Sequence, residues 1–141
     1  MLSTDKIKDL LSHGENKQVE FKRCTDKVSA SVYETVCSFL NAEGGYIFLG
    51  VDDDGTILGI NPKCVTDMTK SIINTLNNPE QFLPPMPITP EQAEIDGKII
   101  LYLNVPESEQ VHRYKNRFFD RWGDADNDVS KHTYLVKNMF M

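Results

Sequence analysis

The sequence predicts one α+β domain in which about four helices pack on a mixed, mostly antiparallel sheet. Three observations favour this fold class. Residues 29–41 carry apolar side chains at helical spacing, namely Val32, Val36, Phe39 and Leu40. Residues 46–51 are almost continuously apolar, which is typical of a central strand covered on both faces. Asp96 and Gly97 separate two strand-like segments, as in a tight β-hairpin.

The first part of the chain predicts two helices with a strand between them. A helix begins after Ser3 or Thr4, which can cap its first turn, and ends at Gly14. Residues 18–22 alternate between apolar and charged side chains, which indicates a half-buried strand. The second helix, at residues 29–41, follows this strand and ends before a Gly-Gly pair that accepts the left-handed backbone.

The middle of the chain predicts a hairpin, a helix and an irregular loop. Residues 52–55 have turn chemistry, and we expect residues 56–60 to return as the partner of the central strand. Pro62 suits the first turn of a third helix. The buried stripe of that helix consists of Val65, Met68, Ile72 and Leu76. Prolines recur from residue 79 to residue 90 and predict a loop with little regular structure.

The last third of the chain predicts two strand pairs and a short helix. The first pair joins residues 93–95 to residues 98–105. The second pair joins residues 111–114 to residues 117–122 around a Lys-Asn turn. Residues 123–128 are expected to turn and to cap a final helix that reaches Phe140.

Length and composition are those of one globular domain, residues 1–141, with a core large enough to fold alone. The end of the chain without a polar tail is compatible with the N-terminal domain of a longer protein. No apolar run approaches the roughly 20 residues of a membrane span, so no membrane contact and a cytoplasmic location are expected. The three cysteines lack metal-ligand spacing. A net charge of −6 argues against tight binding of duplex DNA unless basic residues cluster locally.

Carboxylates form the first candidate site. Glu15 and Glu20 flank the start of the first strand, and an Asp-Asp-Asp run containing Asp53 forms the turn after the central strand. If these two strands are neighbours, the carboxylates can converge and bind Mg²⁺ or Mn²⁺. The alternative is that Glu20 faces solvent and the aspartates only form a turn.

Basic and aromatic residues form the second candidate site. The segment at residues 112–122 contains the predicted phosphate contacts Arg113, Lys115, Arg117 and Arg121, interleaved with aromatic residues. Lys22 and Arg23 add positive charge near the glutamates. The alternative is an ordinary amphipathic strand pair with its aromatic residues in the core and its arginines in water.

Three segments together resemble the Schlafen AlbA-like domain, the AlbA_2 type. They are Glu15 with Glu20-Phe21-Lys22, the block FLNAEGGYIFLGVDDDG at residues 39–55 with Gly59-Ile60, and the weaker block FDRWGD at residues 119–124. The resemblance covers most of the chain and implies an α+β fold. It also implies a DNA-binding domain of the kind found at the front of bacterial transcriptional regulators.

Some animal Schlafen proteins cleave RNA with two glutamates, an aspartate and a divalent metal ion. The resemblance places those glutamates at Glu15 and Glu20 and the aspartate at Asp53, in preference to Asp52. Two features depart from that pattern. This chain has one acidic module where the nucleases join two in a basic cleft, so a comparable groove would need a homodimer. Asp124 and Asp126 also stand where the family often has serine or asparagine.

Three hypotheses follow. The first is a non-catalytic domain of a bacterial transcriptional regulator that binds DNA or RNA. The second is an endoribonuclease that depends on Mg²⁺ or Mn²⁺ and uses Glu15, Glu20 and Asp53. The third is a dimerisation or protein-interaction module, which the acidic net charge favours.

Overall fold

The computed structural model describes residues 1–141, which form four α-helices and eight strands. The helices are α1 (Thr4–Ser12), α2 (Ala30–Leu40), α3 (Val65–Leu76) and α4 (Thr133–Met139), with a 3-10 turn at Pro62–Cys64 before α3. The strands are β1 (Val19–Lys22), β2 (Gly45–Leu49), β3 (Phe82–Leu83), β4 (Glu91–Ile95), β5 (Lys98–Val105), β6 (Arg113–Tyr114), β7 (Phe119–Trp122) and β8 (Ala125–Asp128). The predicted α+β class is confirmed. None of the helices has the length and apolar character needed to cross a bilayer.

A four-stranded mixed sheet in the order β1-β2-β5-β4 forms the centre of the molecule. Strands β1 and β2 are parallel because α2 connects them, whereas β2–β5 and β4–β5 are antiparallel. Gly45 makes the β1–β2 contact sterically feasible, because a Cβ there would clash with the backbone of Gln18. The first strand and the central strand are therefore neighbours, which is the condition under which the carboxylates can share a site.

Helices cover both faces of this sheet. On one face, α2 and α3 pack against apolar residues of β2 and β5 such as Leu49 and Leu103. On the other face, Ile7 and Leu11 of α1 pack against Phe21 and Phe48. Burial on both sides explains why β2 is almost continuously apolar, as the sequence predicted.

The turn after β2 leads into an extended segment and not into the expected hairpin strand. Residues 56–60 contribute only an isolated bridge between Val51 and Ile57. Gly50 and Gly59 both have left-handed backbone, and the amides of Leu58 and Gly59 both donate to the carbonyl of Gly50. This local turn replaces a regular ladder, so the predicted partner strand is wrong.

The last strands pair differently from the prediction. Lys115 and Asn116 form a left-handed tight turn, but beyond the bridge between Tyr114 and Arg117 the chain separates. Strand β6 pairs with β3, which lies inside the proline-containing loop, and β7 pairs with β8. Residues 125–128 are therefore a strand and not a helix cap, because their backbone pairs with β7 and Asp126 bonds residues of β7 and α2.

Candidate nucleic-acid interface

A polar groove lies where β1 ends, beside the loop that leads into α2. It encloses about 670 Å³. Its lining residues are Glu15, Glu20, Phe21, Lys22, Arg23, Cys24, Thr25, Asp26, Lys27, Ser29, Ser31 and Asp53. The parallel pairing of β1 and β2 brings the turn that contains Asp53 next to the end of β1. The three carboxylates named from the sequence, together with Lys22 and Arg23, therefore line one groove.

Glu15 and Glu20 are both engaged by the protein itself. Glu15 Oε2 accepts a hydrogen bond from the backbone amide of Phe21 at 3.1 Å. Glu20 is buried, and its Oε1 lies 3.2 Å from Nη1 of Arg121. Glu20 is thus neither a solvent-facing strand residue nor a free carboxylate.

Arg121 is the centre of a buried ionic cluster, which we call the Arg121 cluster. Its Nη1 bonds Asp126 Oδ1 at 2.8 Å as well as Glu20. Its other guanidinium nitrogens donate to the carbonyls of Asn16 and Lys17. The guanidinium also lies over the ring of Phe39, with Cζ 4.8 Å from the ring centroid. The other oxygen contacts of Asp126 come from the hydroxyls of Thr35 and Ser38 on α2.

This cluster removes Arg121 from the predicted phosphate contacts. Its side chain is 0% exposed, and every guanidinium nitrogen has a partner inside the protein. The cluster instead joins β1, the segment before it, β7, β8 and α2. Asp126, expected from the sequence to place negative charge near nucleic acid, neutralises Arg121 inside the fold.

Arg23 has the opposite environment. Its side chain is 66% exposed at the rim of the groove. Nε lies 2.8 Å from Oδ1 of Asp52, and Nη2 lies 3.8 Å from Oδ2 of Asp53. These carboxylates raise the pKa of the Arg23 guanidinium, chiefly through the hydrogen bond that Arg23 donates to Asp52. We call this group of three residues the Arg23 clasp.

The carboxylates do not fit a three-carboxylate site for Mg²⁺ or Mn²⁺. No group of three or more histidine, cysteine, aspartate or glutamate side chains is close enough to hold a metal ion. Glu20 is paired with Arg121, Glu15 with a backbone amide and Asp53 with Arg23. A hard cation needs oxygen ligands that converge on one point, and here they line one groove without converging.

Two cations of the groove have no partner. Neither Lys22 nor Lys27 forms an ion pair within the chain. Ser29 precedes α2, but its hydroxyl bonds that of Ser31 and does not cap the helix. The positive end of α2 and two free lysines therefore share one wall. Lys27 is next to the helix start in the chain, whereas the fold brings Lys22 to the same groove.

The chain from residue 15 to residue 130 matches the family described as Schlafen, AlbA_2. It belongs to that family. Among solved structures, this Schlafen AlbA_2 domain is similar to the N-terminal domain of the "Putative ATP-dependent DNA Helicase RecG-related Protein" from Nitrosomonas europaea. The two are 27% identical with a TM-score of 0.60, and the match covers 77% of this chain and 76% of that one.

A second solved structure, the DIP2311 protein from Corynebacterium diphtheriae, shares the fold. The TM-score is 0.64 at 15% identity, and the match covers 89% of this chain and 25% of that one. This Schlafen AlbA_2 domain therefore spans about a quarter of that longer protein.

The remaining predicted contacts of the Schlafen AlbA_2 domain lie outside the groove. Arg113 is half-buried on β6, and Lys115 is exposed with Nζ 5.3 Å from the centroid of Tyr114. Arg117 is exposed and lies 3.8 Å from Asp128. The predicted basic set is thus divided: Lys22 and Arg23 line the groove, Arg121 is internal, and the other three form a separate surface.

Proposed function

We propose that this Schlafen AlbA_2 domain binds nucleic acid, with DNA as its ligand, as a non-catalytic module of a bacterial transcriptional regulator in the cytoplasm. The groove carries this proposal, because it places Lys22, Lys27 and Arg23 beside the start of α2. Cations and helix N-termini are the usual contacts to phosphate oxygens. The similarity to a domain of a RecG-related protein supports a nucleic-acid ligand.

Phosphate contacts are assigned first to the groove and second to Arg113, Lys115 and Arg117. The acidic net charge of −6 limits affinity, so binding should be weak and strongly dependent on salt. A homodimer would double the number of cations offered to one duplex. The absence of convergent carboxylates supports a binding role in preference to metal-dependent cleavage.

The test is a fluorescence-polarisation titration of labelled duplex DNA and single-stranded RNA over a range of salt concentrations. Lys22→Ala with Lys27→Ala should weaken binding and reduce the salt slope by about two. Lys6→Ala with Lys70→Ala is the matched control, since both lysines are exposed and neither lines the groove. Equal losses in the two double variants would contradict the assignment to the groove.

Cleavage and dimerisation are tested on the same material. RNA incubated with Mn²⁺ should remain full length on a gel. Shortening that disappears in Asp53→Asn would overturn the non-catalytic proposal in favour of a nuclease. Asp53→Asn is the clean variant, because Glu20→Gln also breaks the buried pair with Arg121. A dimer by light scattering with no binding to any nucleic acid would favour an interaction module.

A further inference from the structure

Arg23 is engaged within the chain by the turn that faces it across the groove. Both carboxylates of the Arg23 clasp approach the guanidinium, Asp52 through Nε and Asp53 through Nη2. Lys22 and Lys27, in contrast, are unpaired in the same groove. The strongest phosphate-binding group of the groove is therefore the one that the protein already occupies.

The turn holds Asp52 in place independently of Arg23. The Asp52 amide donates to the carbonyl of Thr56, and its own carbonyl accepts from the amide of Gly55 at 2.9 Å. Oδ1 of Asp52 also accepts from the amide of Asp53 at 2.8 Å. The carboxylate is thus fixed by the backbone, whereas Arg23 reaches it with a long exposed side chain. Arg23 is the partner that can leave.

We infer that the Asp52–Asp53 pair is an internal competitor for phosphate at Arg23 and lowers the nucleic-acid affinity of the groove. This inference rests on the proposed function. A phosphate oxygen and a carboxylate oxygen bind the same guanidinium nitrogens, so a ligand must displace Asp52 from Nε before it can bind the Nε–Nη2 edge of Arg23. The two lysines hold the ligand in either state, and that edge of Arg23 adds its contact only after the clasp opens.

The decisive experiment measures the dissociation constant for labelled duplex DNA and single-stranded RNA at low salt in a double-mutant cycle. Asp52→Asn with Asp53→Asn removes the competing charges, and the amide oxygen introduced by Asp52→Asn can still accept the turn hydrogen bond. The control is Asp67→Asn with Glu80→Gln, which changes the net charge equally at exposed positions away from the groove. The clasp variant should bind about two- to fivefold more tightly than the control variant.

The cycle is completed in an Arg23→Gln background. A direct competitor acts only through Arg23, so the advantage over the control should vanish there. An advantage that persists without Arg23 would show general repulsion and overturn the inference. If circular dichroism shows that the double variant melts early, Asp53→Asn alone is used, and a smaller gain in affinity is expected.

The outcomes separate the two proposals. If the wild-type chain binds and the clasp variant binds no better than the control, the competitor is rejected and the proposed function stands. If only the clasp variant binds, the competitor is supported and the proposed function of the natural chain is contradicted. If no variant binds DNA or RNA, the proposed function fails and the competitor fails with it.

Discussion

Two arginines in this domain each meet two carboxylates, yet their surroundings differ completely. The Arg121 side chain is 0% exposed and that of Arg23 is 66% exposed. Arg121 has four hydrogen bonds and an aromatic ring beneath it, whereas Arg23 touches only the aspartates of one turn. Residue type alone therefore does not distinguish a structural cation from a ligand-binding one.

The difference lies in what happens when the partner is lost. Around Arg121, removal of any member leaves a charge or hydroxyl with little access to water, so the whole cluster is interdependent. Around Arg23, water replaces either partner at little cost. The buried set can therefore only hold the fold, while the exposed set can exchange partners.

The largest effect is expected from Arg121→Met. It keeps the length of the side chain but leaves Glu20 and Asp126 buried without their cation, and should cost about 3–5 kcal/mol of unfolding free energy. Urea denaturation measures the loss. Arg117→Met is the control, since Arg117 is an exposed arginine paired with Asp128. A loss below about 1 kcal/mol would mean that the Arg121 cluster is not a structural anchor.

A smaller loss is expected from Asp126→Asn. The asparagine amide has one acceptor oxygen where the carboxylate has two. Some of the donors from Thr35, Ser38 and Arg121 therefore lose their acceptor. We expect about 1.5–3 kcal/mol of destabilisation. Asp124→Asn, two residues earlier in the exposed turn, should change the unfolding free energy by less than about 0.5 kcal/mol. Equal effects at the two positions would contradict the assigned role of Asp126.

The sequence predicts the fold class because its signals are local. Helical spacing in α2 and α3, the apolar run of β2 and the Asp96-Gly97 turn each depend on neighbouring residues only. The same signals do not specify which strand pairs with which. The pairings of β6 with β3 and of β7 with β8 depend on contacts between distant segments, so the sequence reading joined the wrong partners.

The candidate site shows the same limit. The shared position of Glu15, Glu20 and Asp53 depended on the adjacency of β1 and β2, which the sequence left open and the fold provides. The burial of Arg121 was not, because nothing within residues 112–122 reveals that Glu20, a hundred residues earlier, will be its partner. The segment reads as uniformly basic, but its arginines divide between interior and surface only in three dimensions.

The pH dependence of stability also distinguishes a buried polar group from an exposed one. His112 is buried, its Nδ1 lies 2.8 Å from the carbonyl of Pro84, and its Nε2 lies 2.7 Å from the Ser108 hydroxyl. Burial is the main cause that lowers the pKa of His112 below its ordinary value of 6.5. The unfolded chain therefore binds a proton more readily than the folded chain.

The stability contributed by neutral His112 is thus complete above pH 6.5 and lost as the pH falls through the lowered folded pKa. Urea denaturation across the acidic range should show this loss in the wild-type chain and a shallower one in His112→Gln. The control is His13→Gln, because His13 is exposed. Identical pH profiles for the wild type and His112→Gln would contradict the assignment.

The smallest effect on stability is expected from Arg23→Gln. The effect should be small because Arg23 is exposed, whereas Arg121 is buried. Loss of an exposed pair should lower the urea midpoint only slightly at low salt. The difference from wild type should approach zero near 1 M salt, where the screening length is only about 3 Å. Urea denaturation at both salt concentrations measures it. A loss as large as that of Arg121→Met, persisting at high salt, would mean that Arg23 is anchored as firmly as Arg121. An arginine anchored in that way could not exchange Asp52 for phosphate. A small, salt-sensitive loss of unfolding free energy is therefore required if Arg23 is to release Asp52 and bind a ligand.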